Sequence, residues 1–536
     1  MGVVYTATMK KWLVVIVLAA AQFVMVLDST VMNVSISTVV KDLGTTVTAM
    51  QTAITFYTLT MAALMLIGAK LCSKWGLMRA FTIGSIVYGI GSLLTAISPN
   101  ITTLFLGWSI IEGLGAVLVI PAIAALIAVT YKGKDRVTAF AVIGGVSGMA
   151  AAAGPLIGGF MTTYLSWRYV FVAETIVMVM VLIAARRFKA ESKPAKLSID
   201  KASAVLSAAG LTLVVYGMLQ AKVWGLVQPI AKPVIAGHEI APLGISLVAY
   251  LILGGLIVLK LFYDRQVMLE EAKRNPLLRV SMLKIVPLRS GLAVLGSQYA
   301  ITAAVFFIIP IYLQMVIGLD ALQTGIKIFP LSVALILASL AGSRLVKRYT
   351  PKRIIRIGQL LLLFGSIALL AAVDPELTGL AFAAAMFSVG AGLGLLASQI
   401  GNITMSAVDV SSSNEVGGMS GTFQNLGSSL GTAIIGSVLV VSLTSGFISR
   451  IEQSNLPTDI KSHIAQQSQS GVAIVPASEV SSYATSKGLS QQEANNVATI
   501  YEESQLAGLK EAIFFLIAIA ALSILLSRGI PNSKIA

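Results

Sequence analysis

The sequence has very few of the side chains that build metal centres and disulfides. Its 536 residues include one cysteine, Cys72, and two histidines, His238 and His463, which lie far apart in the chain. A lone cysteine excludes an internal disulfide, and no cysteines or histidines have the spacing of a zinc or iron–sulfur site. We therefore expect no metal and no cofactor. The chain also lacks a nucleotide-binding loop of the Walker type and any nucleophile–base constellation, so we expect neither ATP as the energy source nor an enzyme.

Charged residues are scarce as well. Only 11% of the residues are Asp, Glu, Lys or Arg, 56% are hydrophobic, and the mean hydropathy is +0.88. Soluble globular domains carry about 25% charged residues. Fourteen apolar runs are long enough to cross about 30 Å of hydrocarbon, the first near residues 11–33 and the last near 508–527. The composition predicts an all-α polytopic membrane protein with fourteen spans.

The excess of basic residues indicates the topology. The net charge is +15, and 29 of the 38 Lys and Arg residues fall on one side of the membrane when the amino terminus is placed in the cytoplasm. Cytoplasmic connections carry an excess of these residues. The pattern predicts a multi-pass protein of the cell membrane with both termini in the cytoplasm. A nucleic-acid partner is not expected, because it would need these charges on one face.

Two connections are long. Residues 264–289 form a basic linker that we expect in the cytoplasm, and residues 269–274 (LEEAKR) within it predict a short interfacial helix. Residues 445–507 form an external loop rich in Ser, Gln, Asn and Ala. In that loop Ser490 and Glu493 have the spacing of a capping box, which predicts a surface helix over about 491–505.

A weak internal repeat indicates the domain organisation. The basic connection at 70–79 resembles the one at 343–353, and the glycine-rich span five resembles residues 425–436. A six-helix unit repeated in parallel, with two spans inserted between the copies, explains both matches. The predicted units are an amino-terminal bundle, two inserted spans, the linker at 264–289 and a carboxy-terminal bundle that includes the external loop; their ranges are 1–190, 191–263, 264–289 and 290–536.

Span five contains an unusual stretch, GGVSGMAAAAGPLIGG, at residues 144–159. Small residues recur there at steps of three and four, so one helix face carries almost no side chain and permits another helix to pack closely. Proline weakens the backbone hydrogen bonding of the same region. We interpret the stretch as a packing and bending surface, with a static helix pair as the alternative. The residues assigned to this conformational motif are Gly148, Gly154, Pro155, Gly158 and Gly159.

Three carboxylates fall inside apolar spans: Asp28 in span one, Glu112 in span four and Glu174 in span six. An ionised carboxylate in hydrocarbon costs several kcal/mol, so each has to face water, find a partner or bind a proton. Counting along the helices places all three at a similar depth, in the outer half of the amino-terminal bundle. They are candidates for binding protons or a substrate cation. The alternative is a structural role, in which Glu174 is held by hydroxyls or by Arg168.

Four segments resemble the Major Facilitator Superfamily and, within it, the fourteen-span drug:proton antiporters. They are LDSTVMNVSI (27–36), AGPLIGG (153–159), FFIIPIYLQMVIG (306–318) and NEVGGMSGTFQNLGSSLG (414–431). The resemblance implies two six-helix bundles around a central cavity, with spans one and four lining it and span six at the periphery. Span nine is then the opposite wall. The candidate cavity residues are Asn33, Gln298, Tyr299, Phe306, Tyr312, Gln314 and Met315.

The sequence departs from the family pattern at several positions. Ser37 stands where span one usually has proline, and Ser73 stands where the cytoplasmic gate usually has aspartate, although Lys74, Gly76 and Arg79 of that gate are present. In span four Ser109 replaces the usual arginine, and Glu112 replaces glutamine. If the resemblance holds, coupling has to be assembled from other groups than the usual ones.

These observations predict a secondary transporter. We expect a monomer that exports a hydrophobic, cationic compound across the bilayer in exchange for protons, by alternating access. Aromatic, thioether and amide groups in span nine suit an amphipathic ligand, and nearby carboxylates favour a cation. One alternative is a carrier or flippase for lipids or amphipathic metabolites. Another is a membrane sensor or scaffold that does not transport.

Overall fold

The structure is a computed structural model. It describes residues 2–131, 133–187, 198–229, 233–235, 238–346, 348–375, 377, 379–408, 413–468 and 471–532. Nearly all regular structure there is helical, apart from a hairpin of two short strands, β1 (Val234–Ile235) and β2 (His238–Glu239).

The long helices follow one another along the chain, and most of the connections between them are short. The first six are α1 (Gly2–Asp42), α2 (Val47–Trp75), α3 (Leu77–Ala96), α4, α5 (Gly133–Tyr164) and α6 (Arg168–Ala185). Helix α4 is continuous but has three parts, which are Ile101–Leu104, a π-helical segment Phe105–Glu112, and Gly113–Thr130. Then come α7 (Lys201–Trp224), α8 (Leu247–Glu271), α9 (Val286–Ile311, continued by the π-helical Tyr312–Val316), α10 (Ala321–Leu345), α11 (Pro351–Ala372), α12 (Gly379–Ser406) and α13 (Ser413–Gln453). The chain ends with α14 (Thr458–Ser468), α15 (Ala477–Ser486) and α16 (Gln491–Leu526).

The number of spans agrees with the sequence prediction. In the described residues, 13 helices are long and apolar enough to cross a membrane, and the bent helix α5 brings the number to 14. Helix α5 bends by 43° between its segments Val142–Ala151 and Ala153–Tyr164. Pro155 has no amide hydrogen to donate to the carbonyl of Ala151, which weakens the helix at this bend. The prediction of an all-α polytopic membrane fold is confirmed.

The predicted limits of two surface helices were wrong. Residues 269–274 do not form a separate helix, because α8 continues through residues 264–271, which contain no glycine or proline, and ends at Glu271. The capping box is present, with Ser490 and Glu493 each accepting a backbone hydrogen bond from the other. The helix that it starts is α16, which runs on through the last span because no proline interrupts it.

The spans pack as two groups that meet along two helix pairs. In the first group α5 packs along α1, and α3 packs against both α4 and α6; in the second, α12 packs between α10 and α11, and α13 packs on α9 and α16. The groups meet where α5 packs on α10 and α2 packs on α13. The hairpin of α7 and α8 lies against α2 and α13 through α7. The division into two bundles and two inserted spans stays a prediction, and its first boundary, at residue 190, lies outside the described residues.

An ion pair fastens the hairpin of α7 and α8. Asp200 caps α7 by accepting a hydrogen bond from the amide of Ser203 at 2.9 Å. Its two carboxylate oxygens also accept hydrogen bonds from Arg265 of α8, Oδ2 from Nε at 2.6 Å and Oδ1 from Nη2 at 2.8 Å. This bidentate contact with the guanidinium holds the pKa of Asp200 well below its usual range.

We expect Asp200→Asn to destabilise the protein by about 1 kcal/mol, because a bidentate charged hydrogen bond is lost. The difference from wild type is fully present above about pH 4, the ordinary range of an aspartate. It shrinks as the pH falls further, since protonation of Asp200 removes the same interaction from the wild type. Thermal unfolding in detergent at several pH values measures it. Asp264→Asn is the control, because its pair with Lys260 is exposed, and an equal loss in both variants contradicts the prediction.

Candidate functional site

The structure brings the three membrane carboxylates together. Asp28 of α1, Glu112 of α4 and Glu174 of α6 each offer an oxygen within 4.8 Å of the others. Their residues are 1%, 0% and 2% exposed, and none of the ion pairs in the described part of the chain reaches them. Glu174 therefore lies in the same cluster as the other two, and not apart from them at the periphery as the family resemblance implied. We call these three residues the carboxylate cluster.

Arg168, the alternative partner of Glu174, is engaged elsewhere. Its guanidinium pairs with Asp42 at the end of α1, and it also donates a hydrogen bond to the carbonyl of Ser98 at 2.8 Å. The indole of Trp167 donates to the same Asp42 carboxylate at 2.9 Å. These contacts connect the ends of α1, α3 and α6. Arg168 is therefore not a partner of the carboxylate cluster.

Aromatic residues enclose Asp28. The indole nitrogen of Trp108 in α4 donates to both carboxylate oxygens, at 2.9 and 3.0 Å. The Tyr57 ring in α2 stacks on Trp108 with the ring centroids 5.0 Å apart and the planes inclined by 13°, and its hydroxyl lies beside Asp28. Asp28 is thus buried and held by donors from two other helices.

The π-helical segment of α4 shapes the other side of the cluster. Phe105–Glu112 is wound more widely than an α-helix, a feature that is frequent at functional sites. Trp108 and Glu112 both belong to this segment. Trp108 faces the carboxylate cluster, and Glu112 is one of its members. Ser109, which stands where the family usually has arginine, donates a hydrogen bond to the carbonyl of Ala53 at 2.8 Å. It connects α4 to α2 and supplies no charge.

Helix α3 supplies the neighbours of the two glutamates. The Tyr88 hydroxyl lies beside Glu112, and the Ser92 hydroxyl donates a hydrogen bond to Glu174 Oε2 at 2.9 Å. In the described part of the chain Glu174 Oε1 has no hydrogen-bond partner, and neither has either carboxylate oxygen of Glu112. Close packing makes these contacts possible, because a Cβ atom at Gly91 would lie 2.5 Å from the amide nitrogen of Glu112.

Four residues of this site were not predicted from the sequence, namely Tyr57, Tyr88, Ser92 and Trp108. A signal was present for three of them. Trp108 precedes Glu112 by four residues, and Tyr88 precedes Ser92 by four residues, so each pair shares a helix face. The spacing does not say which neighbouring helix each face meets, and that information was needed to assign them to the site.

The predicted cavity residues have different surroundings. Gln314 connects α9 to α1, since its Nε2 donates to the carbonyl of Val34 at 2.8 Å and its Oε1 accepts from the Ser37 hydroxyl. Tyr312 points to α11 and donates to the carbonyl of Asp374 at 2.6 Å. The remaining members are buried or half-buried in helix packing, and they are Asn33, Gln298, Tyr299, Phe306 and Met315.

The glycine motif of α5 packs against two helices. Gly154 and Gly158 face Thr30 and Val31 of α1, in the turn that follows Asp28. The neighbouring face meets α10, where Pro155 lies against Gly325, and a Cβ atom at Gly159 would lie 2.5 Å from the carbonyl oxygen of Ala321. Gly148 packs loosely, because a Cβ atom there would first meet Leu335, at 3.9 Å.

The predicted gate residues lie at the turn between α2 and α3. Gly76 has φ 90°, a conformation that side chains disfavour, and it ends α2. Lys74 and Arg79 are exposed, and neither is in an ion pair within the described residues. Ion pairing near this end involves Glu415 of α13, which pairs with Lys70 of α2 at 3.5 Å and with Arg279 at 3.1 Å.

Comparison with known proteins gives consistent matches. The family model of the Major Facilitator Superfamily matches residues 18–432. The puromycin resistance protein of Streptomyces alboniger is 28% identical over 80% of this chain and 82% of its own length. The tetracenomycin C resistance and export protein of Streptomyces glaucescens is 23% identical over 93% and 88%. The multidrug efflux pump LfrA of Mycolicibacterium smegmatis is 24% identical over 87% and 88%.

Solved structures share the fold at low identity. A bacterial homolog of the human lysosomal transporter Spinster, in an inward-facing and unoccupied conformation, superimposes with a TM-score of 0.60 and 14% identity over 97% of this chain and 98% of its own. A D-xylose-proton symporter gives 0.55 and 12% over 80% and 90%. With a family model that matches more than half of its residues, this chain belongs to the Major Facilitator Superfamily and is a membrane transporter rather than an enzyme.

Proposed function

We propose that this transporter exports hydrophobic, cationic compounds from the cell in exchange for protons. The observation that carries the proposal is the carboxylate cluster, in which three buried acidic side chains lie within 4.8 Å without a basic partner among the described residues. Three negative charges this close in a medium of low dielectric are too costly to stay unneutralised. Bound protons or a bound cation remove that cost, so the cluster exchanges one for the other.

The names of the relatives support the kind of substrate. The proteins of Streptomyces alboniger and Streptomyces glaucescens are named for resistance to puromycin and tetracenomycin C, and LfrA is named as a multidrug efflux pump. We infer the same broad class for this chain, namely antibiotics and other drug-like compounds. The preference for cations rests on the charge of the carboxylate cluster itself.

The proposed cycle alternates between two openings of a monomer in the cell membrane, with both termini in the cytoplasm. Helices α5 and α10 pack closely at Gly159, whereas a Cβ atom at Gly144 would meet no atom within 4 Å. In the proposed orientation, the contact at Gly159 closes the outer end. When the outer end opens, protons reach Asp28 and Glu112 and weaken the hold on the cation. Loss of these protons to the cytoplasm restores the site.

We expect substrate-evoked proton movement in proteoliposomes with a pH-sensitive dye inside. A panel of lipophilic cations evokes proton flux in the wild type, and Asp28→Asn or Glu112→Gln reduces that flux at least about tenfold, because the exchangeable carboxylate is gone. Asp264→Asn removes an exposed carboxylate on α8 and leaves the flux unchanged. The three proteins are compared at equal reconstitution, with folding checked by size-exclusion chromatography.

Two outcomes contradict this mechanism. One is the absence of proton movement with every cation tested, which favours the carrier for lipids or amphipathic metabolites or the sensor. The other is a flux that follows an imposed Na⁺ gradient and not a proton gradient, which makes the cluster a site for a different coupling ion. Headgroup-dependent lipid scrambling in the same vesicles identifies a lipid carrier.

We expect Gly159→Ala to slow transport about tenfold or more, because its methyl group would meet the backbone of α10 and hinder closure of that end. Gly144→Ala adds the same methyl group to the same helix where no atom lies within 4 Å, and it transports normally. The rate of cation uptake into inverted vesicles measures both. Equal rates for the two variants exclude the contact between α5 and α10 as part of the cycle.

A further inference from the structure

A crevice opens between α5 and α6 beside the carboxylate cluster. Both helices pack on α1, but they have little contact with each other. The gap between them has a volume of about 430 Å³ and is floored by α1, which is within the range of small-molecule pockets. Ile157 on α5 and Ala173 on α6 are exposed at its rim. The surrounding surface is apolar and includes Phe160 and Ile176, as expected for a face that meets lipid.

The lining of the crevice is apolar with one exception. Phe23 and Leu27 of α1 and Met161 of α5 contribute aromatic, aliphatic and thioether groups. The exception is Glu174, whose carboxylate also belongs to the carboxylate cluster. Its Oε2 accepts the hydrogen bond of Ser92, while its Oε1 has no hydrogen-bond partner in the described part of the chain. A buried carboxylate oxygen without a partner, on a residue that lines an apolar crevice, is matched by a ligand that brings its own positive charge.

Asp28 differs from Glu174 in this respect. Both of its oxygens accept hydrogen bonds from Trp108, and the Tyr57 ring lies against the same indole. Asp28 does not line the crevice, whereas Glu174 does. The acidic groups of the cluster therefore differ in what they can reach, because Glu174 alone among the three forms part of the crevice lining.

We propose that this crevice binds a lipophilic organic cation directly from the bilayer, with the cationic group against Glu174 and the apolar body among Phe23, Leu27 and Met161. Aromatic and thioether groups are favourable partners for such a body and its charge. The assignment rests on the proposed function and deepens it, since Glu174 takes the substrate cation and leaves Asp28 and Glu112 for protons. In the proposed orientation the crevice lies in the outer half of the membrane, so it connects the carboxylate cluster to the outer leaflet.

The charge of the crevice disfavours binding of a phospholipid, the most abundant competing ligand in the bilayer. A phospholipid could place an acyl chain among the apolar residues, but its phosphate is anionic and its chain leaves the Glu174 oxygen without a partner. A lipophilic cation suits both the apolar lining of the crevice and Glu174. The two occupants are separated by varying the charge of a probe while its apolar body is kept similar.

Binding in lipid nanodiscs tests the assignment. The probe is benzyldimethyldodecylammonium, and dodecylbenzenesulfonate is the comparison of similar shape and opposite charge. We expect Ala173→Trp, which fills the crevice from its rim, to weaken binding of the cation about tenfold. Ile176→Trp places the same bulk one turn away, on the exposed surface outside the crevice, and changes binding less than about twofold. Glu174→Gln weakens the cation about tenfold and does not weaken the sulfonate.

A photoreactive form of the cation locates the site independently of affinity. We expect the labelled peptides to come from α1, α5 and α6, and the labelling to be lost in Ala173→Trp. Equal binding by Ala173→Trp and Ile176→Trp overturns the proposal. So does a co-purifying phospholipid that Ala173→Trp displaces while Glu174→Gln retains it.

The binding site in the crevice and the antiport mechanism can be contradicted independently of each other. If the wild type moves no protons with any cation but binds the ammonium probe in the crevice, the antiport mechanism is wrong and the binding site stands. If proton flux is normal in Ala173→Trp and binding is unchanged, the crevice is wrong and antiport stands.

Discussion

Three acidic side chains, buried without a basic partner in the described part of the chain, constrain the rest of this structure. In hydrocarbon each ionised carboxylate carries a penalty of several kcal/mol, and neighbours within 4.8 Å add mutual repulsion. The surroundings offer hydrogen-bond donors to two of the members, namely the Trp108 indole to Asp28 and the Ser92 hydroxyl to Glu174. Such a cluster is stable only with part of its charge neutralised from outside the protein. Under the proposed function, this requirement suits the cluster to exchanging protons for a cation.

The close approach of helices makes the cluster possible. Helices α3 and α4 lie so close at Gly91 that a methyl group there would overlap the backbone of Glu112. Helix α4 is π-helical over the same residues, and π-helical turns change the direction in which side chains point. Lipid provides no hydrophobic driving force for helices to associate. The attraction between helices has to come from tight packing of small residues. Glu112 can take its position in the cluster because α3 has no side chain at residue 91.

Much of the fold follows from sequence, and the site follows only in part. Long apolar runs predicted the spans, and counting along them placed Asp28, Glu112 and Glu174 at one depth, because rise per residue is fixed in a helix. Depth does not determine which faces meet, so the enclosure of Asp28 by Tyr57 and Trp108 was not predicted. The family resemblance placed span six at the periphery, whereas the contact of α6 with α3 brings Glu174 inward. Helix ends were missed where no glycine or proline marks them, as at Glu271.

Helix α5 connects the site to the interface between the two groups of spans. One of its faces packs on Thr30 and Val31, directly after Asp28, and the adjacent face packs on Ala321 and Gly325 of α10. We expect a shift of α5 against α10 to alter its contact with α1 as well, since the packed residues have little room to yield. The same helix forms one wall of the crevice whose other wall is α6. A movement that opens or closes the contact with α10 therefore changes the width of the crevice and the packing beside Asp28 together. Under the proposed antiport mechanism, coupling between the substrate and the protons needs no charged relay through the span-four position occupied by Ser109, because α5 contacts both the crevice and the turn of α1 beside Asp28.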